Sequence, residues 1–194
     1  MSFLIAGLLR FWPTIRLRRK GGIAMAAAMV APASPAAAAS ASDLTAFLAA
    51  YRCELVERLR MIHADPAPDA RHLIIYLLDA PRAYVQCLFV ENDSKILCEA
   101  ESEFYRQKAG EPRRFRMTPQ SLAALARLGF STDDSKGNYR RIIDLTGAGD
   151  FTVVADLLLS ALYQGYGARL DSRLEWEAPL APGKGTFARW APFS

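Results

Sequence analysis

Three cysteines, two histidines and a few closely spaced acids are the side chains of this 194-residue chain that could carry chemistry. Neither His63 nor His72 has a Gly-x-Ser-x-Gly elbow or another activated nucleophile near it, so both read as surface or strand-end residues. A structural zinc site takes about four ligands, and Cys53, Cys87, Cys98 and the histidines show neither C-x-x-C nor H-x-x-x-H spacing. No metal or cofactor is therefore expected. Glu99 and Glu101 stand at i and i+2, on one face of an expected strand. They read as a solvated acidic pair rather than as a general acid and base. The segment Asp144-Leu145-Thr146-Gly147-Ala148-Gly149-Asp150 reads as a strand-to-helix turn, with Asp150 as the helix N-cap.

That segment also resembles the D-T-x-G-A-G-D signature of ribokinase-like sugar kinases. The resemblance implies backbone N–H groups turned toward a developing negative charge and Asp150 as the base that deprotonates a sugar hydroxyl. It covers seven residues. Phe151 follows directly, Val153 and Val154 stand where small residues belong, and no upstream βαβ half is legible. Sugar phosphorylation is thus the alternative function, and a non-enzymatic one is expected.

The elements that must position these groups follow from periodicity. Leu44, Phe47, Leu48, Tyr51, Leu55, Leu59 and Ile62 form a helical stripe over Asp43–Ile62, opened by Ser42 or Asp43. Asp65-Pro66-Ala67-Pro68-Asp69 breaks it. His72–Leu78, Ala83–Val90 and Lys95–Ala100 read as an antiparallel meander. Thr118 and Pro119 open a second helix that ends at Gly129. Asn138–Leu145 is a fourth strand and Phe151–Tyr163 a third helix. The expected fold class is α+β, with an antiparallel sheet of four to five strands, helices on one face and the order α-β-β-β-α-β-α. The tail from Ala178 reads as a covering segment without an element of its own.

Register adds detail. With Glu91–Ser94 as the turn, Val90 faces Lys95, Phe89 faces Ile96 and Cys87 faces Cys98. Val85, Cys87, Phe89, Ile96, Cys98 and Ala100 then share one apolar face. Tyr84, Gln86, Leu88, Val90 and Leu97 fall on the other, amphipathic face, which a partner or a second copy could cover. Cys87 and Cys98 admit two readings. They form a disulfide in an oxidising compartment or are two buried thiols in the cytoplasm, while Cys53 reads as a core thiol.

The net charge of +4 would ordinarily suggest a nucleic-acid partner. Its distribution argues otherwise. Five of the 24 basic residues and none of the 20 acids lie in Met1–Ser42, leaving 19 basic against 20 acidic residues and a body at −1. Residues 1–41 read as an export signal or a low-complexity leader, with Ala39-Ser40-Ala41 as a cleavage site. The body is then exported or periplasmic, or cytoplasmic if the start lies at Met25 or Met29. No apolar run reaches the ~18 residues of a membrane span. The expected organisation is a leader over 1–41, a domain over 42–177 and a Pro/Gly-rich tail over 178–194.

Ala83-Tyr84-Val85-Gln86-Cys87, Cys98-Glu99-Ala100-Glu101-Ser102, Leu125-Ala126-Arg127-Leu128-Gly129-Phe130, Asn138-Tyr139-Arg140-Arg141 and Leu157–Gly167 resemble motifs of the bacterial YbjN and TY-Chap (Tir-chaperone-like) families. Phe130 stands in place of their Trp, and Glu103 where Asn is common. The resemblance implies a type III secretion chaperone-like fold and a non-enzymatic, dimerising domain that binds a polypeptide. An exported, disulfide-stapled envelope module without a partner remains the third reading.

Overall fold

The computed structural model describes residues 35–65, 71–80, 83–102, 104–106, 117–147, 150–179 and 183–187, within one compact unit from Ser34 to Ser194. The leader's first 34 residues lie outside the described residues. The elements are α1 (Pro35–Ala64), β1 (His72–Leu77), β2 (Ala83–Val90), β3 (Lys95–Ala100), a 3-10 turn (Phe104–Arg106), α2 (Pro119–Arg127), β4 (Tyr139–Asp144), α3 (Asp150–Ser160) with a π-turn (Ala161–Gly165), β5 (Leu174–Glu177) and β6 (Lys184–Thr186).

The fold is α+β, and its antiparallel sheet has the order β4-β3-β2-β1-β5-β6. The expected meander and second helix are present. Six strands replace the expected four to five, because the chain after α3 returns to the free edge of β1. The tail, expected to lack an element, contributes β6. Helix α1 starts at Pro35, so the segment assigned to the leader's end is already helical.

Alternation decides which face is buried. Leu73, Ile75, Leu77, Val85, Cys87, Ile96 and Cys98 are each at most 3% exposed and join Phe47, Tyr51, Leu55, Leu59, Val154, Leu158 and Leu162 of the helices in one core. Two contacts fix α1, one to α3 and one to the loop before β5. Arg52 Nε meets Asp156 Oδ1 at 2.5 Å between α1 and α3, and Tyr51 Oη donates to Ser172 O at 3.1 Å. Thr118 caps α2 by accepting from Ser121 N, and Gly129 follows with φ +82°, a left-handed geometry suited to glycine. The Arg141 guanidinium bonds Leu128 O, so β4 satisfies a carbonyl at the end of α2.

Candidate protein-binding surface

The face of the sheet away from the helices is organised in rows, because antiparallel register aligns residues across strands. One row is polar but for Ile74 at its middle: Arg140, Glu99, Gln86, Ile74, Glu177 and Lys184 stand side by side from β4 to β6. Glu99 uses both oxygens, accepting from Arg140 Nε at 2.9 Å and Gln86 Nε2 at 2.6 Å. At the other end Glu177 meets Lys184 at 3.0 Å and accepts from Tyr76 Oη at 3.2 Å. These hydrogen bonds and the ammonium hold its carboxyl below the usual range.

The neighbouring row is apolar. Ile142, Leu97 and Leu88 align across β4, β3 and β2, with His72 of β1 at its end. Leu88 is 44% exposed and Ile142 60%. Burying the exposed part of these side chains releases about half of the roughly 1.5–3 kcal/mol of a fully exposed one, so this row is where contact with another chain would be most favourable. Ile142 carries no signal in the strand-2/strand-3 pattern alone; it becomes visible once β4 is paired in register.

All five residues expected to bind a partner lie on this face, but their environments differ. Leu88 is exposed, whereas Val90 and Leu97 are half-buried. Tyr84 and Gln86 belong to polar clusters: Tyr84 Oη accepts from Asn138 Nδ2 at 2.9 Å, and Gln86 is held by Glu99.

Glu99 and Glu101 depart from the expected solvated pair. Glu99 is 8% exposed and Glu101 fully buried. Arg140 and Gln86 cover Glu99, and a closure at the end of the β2–β3 ladder surrounds Glu101. Tyr166 Oη donates to Glu101 O at 2.6 Å, Ser102 N donates to Asn138 Oδ1 at 3.3 Å, and Ser102 Oγ donates to Gly137 O at 3.1 Å. Burial, with Glu101, Tyr139 and Tyr84 nearby, pushes the Tyr166 phenol well above its ordinary value. The segments quoted above for Tyr84, Glu101-Ser102, Asn138-Tyr139 and Tyr166 thus meet at one place, as packing partners.

Cys87 and Cys98 are in register and buried, as expected, and are thiols in this structure. Cys53 is exposed rather than a core thiol, because its position on α1 points away from the stripe that faces the sheet. His63 is a surface residue packed between the rings of Phe89 and Phe151, 5.3 Å from each, and His72 opens β1.

Asp150 is the first residue of α3. Its Oδ2 accepts from Thr146 N at 2.5 Å and Gly147 N at 2.6 Å, so the carboxylate closes the strand-to-helix turn. Ala148 and Gly149 lie outside the described residues. No group of three His, Cys, Asp or Glu among the described residues could hold a metal ion, and no described helix is long and apolar enough to cross a membrane. No family model, curated protein or solved structure matches the chain.

Proposed function

We propose that this chain is a non-enzymatic protein-binding domain, chaperone-like or adaptor in type, that takes a polypeptide on the open face of its sheet. The observation that carries the reading is the apolar row Leu88, Leu97 and Ile142, which crosses three strands and runs out to an edge of the sheet. Polar groups flank it: Lys95 and Asp144 face each other on one side, Glu99 and Arg140 on the other. An apolar centre with a polar margin is the general composition of a protein interface. Edge β4 adds a second mode. Arg140 exchanges backbone hydrogen bonds with Ser131 on the outer side, and by alternation Ile142 turns its own N–H and C=O outward, where an added strand could pair.

The likeness to the YbjN and Tir-chaperone-like families supports the same reading, and in such a setting the partner is another chain or a second copy of this one. An exported location agrees with the basic, acid-free leader. The test is a comparison of the unaltered chain with Leu88→Asp and Leu97→Asp in cross-linking and light scattering, alone and with captured partners. Loss of self-association or of partner capture, with thermal unfolding retained, supports the surface. Unchanged assembly and capture in both variants overturns it.

A further inference from the structure

We propose that a cleft on the helical side of the molecule, between α2 and the π-turn, binds a small phosphorylated compound. The cleft has a volume of about 450 Å3 and is lined by Gln120, Ser121, Arg127, Tyr163, Gln164 and Arg169. That volume lies within the ~300–1,000 Å3 of small-molecule sites. Gln120, Ser121 and Arg127 fall along one side of α2, and the other three come from the π-turn and the loop after it. The two segments approach closely because Gly165 has no side chain. A Cβ there would stand 2.9 Å from Leu125 Cδ2.

The charge pattern selects the ligand. Two guanidinium groups line the cleft and no acid does so among the described residues. Elsewhere in the body, arginines such as Arg52, Arg58 and Arg140 are matched by carboxylates. Among the described residues, no carboxylate lies within ion-pair distance of Arg127 or Arg169. Asp43 and Asp171 line a neighbouring hollow of about 330 Å3 that shares Tyr163 and Arg169 with the cleft.

Arg169 is also held in place. Its Nη1 donates to Ala168 O at 2.7 Å and to Tyr163 O at 3.4 Å, and its central carbon stands 4.9 Å from the Tyr163 ring centroid. One side of the fork is thereby fixed while its remaining N–H groups stay available, so little side-chain entropy is lost on binding an anion. Two guanidinium forks and the Ser121 hydroxyl offer more donors than one carboxylate can accept. A phosphate monoester, with three terminal oxygens, has enough acceptors to match them. The neutral amides of Gln120 and Gln164 would then meet the hydroxyl-bearing remainder of the compound. π-turns within helices also recur at functional sites.

The experiment is an NMR titration of the full chain with a sugar phosphate, with inorganic phosphate, and with sodium chloride at matched ionic strength. The proposal expects saturable shifts at Ser121 and Gln164 with the sugar phosphate, binding tighter than inorganic phosphate, and affinity about tenfold weaker in Arg127→Gln. Arg127 is exposed and holds no described contact, so that variant should keep the fold. Arg140→Gln and Leu88→Asp should bind as the unaltered chain does, which separates failure here from failure of the sheet-face reading. Shifts that do not saturate, equal affinity for the two phosphates, or an unchanged affinity in Arg127→Gln would overturn the proposal.

Discussion

Cys87 faces Cys98 across the β2–β3 ladder, with both side chains in the core. The pair is of the non-hydrogen-bonded type: Phe89 N donates to Arg71 O on the β1 side, and by alternation Cys87 likewise directs its backbone to β1 rather than to β3. Opposed residues of this type have the closer Cα atoms, about 4.5 Å apart, a separation inside the range disulfides span. The same geometry that allows a bridge also seals it from reagents.

A thiol count should separate the three cysteines. Cys53 is exposed and should react promptly with a disulfide reagent, whereas Cys87 and Cys98 should react only after unfolding. Refolding the reduced chain with oxidised glutathione should join Cys87 to Cys98. The two thiols lose two electrons and two protons, and glutathione disulfide is reduced to two thiols. Peptide mapping of the refolded chain reads the outcome. A prompt count of three in the native protein, or a bridge that always includes Cys53, would contradict this placement.

Alkaline pH should destabilise the fold. Burial pushes the Cys98 thiol up to about 12, and burial together with Cys98 holds Cys87 well above its ordinary value. The unfolded chain releases these protons from about pH 8.5, while the folded chain retains them. Stability is therefore fully present below pH 8.5 and falls as pH rises toward 12, by up to about 1.4 kcal/mol per pH unit for each thiol. Urea midpoints of the reduced protein at pH 8 and pH 10 should show the fall, and Cys87→Ala/Cys98→Ala should show a smaller one. Equal slopes in both proteins would refute the assignment.

Asn138 is the hinge of the polar closure over Glu101. Its Nδ2 donates to Tyr84 Oη, and its Oδ1 accepts from Ser102 N. Replacing it with Leu removes both bonds and leaves the buried Ser102 N–H without its acceptor, at a cost of roughly 1–3 kcal/mol. Tyr166→Phe removes one bond, to Glu101 O, and should cost less. Chemical denaturation should rank Asn138→Leu as the more harmful change; the reverse order would mean that the cluster does not close as described.

The β1–β3 meander was legible because its apolar residues alternate and its turn fixes the register, so Val90↔Lys95, Phe89↔Ile96 and Cys87↔Cys98 all follow from the turn. Strands β5 and β6 were not. Leu174-Glu175-Trp176-Glu177 does alternate, but it is four residues long and follows a loop, and Lys184-Gly185-Thr186 has no alternation. What makes β6 a strand is its partner: Gly185 lies opposite Trp176, whose indole a Cβ would meet at 2.7 Å. Nor could local pattern show that Glu99 and Glu101 are buried, since the groups that cover them are distant in sequence. Of the open face, Leu88 and Leu97 were readable from one hairpin, whereas Ile142 required the pairing of β4.

Gly185→Val should therefore release the tail. The added side chain cannot share space with a ring that is 3% exposed and already has the Arg58 guanidinium 3.5 Å from its centroid. Overpacking of this kind costs about 1–3 kcal/mol, and β6 can yield by leaving the sheet. The expected readout is a red shift of tryptophan emission with increased hydrogen exchange at Ala178 and Phe187, whose amides donate to Gly183 O and Leu174 O. Unchanged emission and exchange would show that Gly185 is not what admits the strand.

Ile142→Lys isolates the edge contribution from the face contribution. Ile142 is 60% exposed, so a change to Lys should alter stability by no more than about 0.5 kcal/mol. A lysine at this position removes the outer end of the apolar row and places a charge on an edge strand, a device that natural sheets use against edge pairing. Arg140 and Lys95 stand on the neighbouring rows, so the new charge would also repel a basic partner segment. If a partner covers the whole row, Ile142→Lys should weaken its capture about as much as Leu88→Asp does. If the partner adds a strand at β4, Ile142→Lys should be the more damaging of the two. Size-exclusion chromatography with cross-linking of both variants distinguishes these modes, and full retention of assembly in Ile142→Lys would remove β4 from the binding surface.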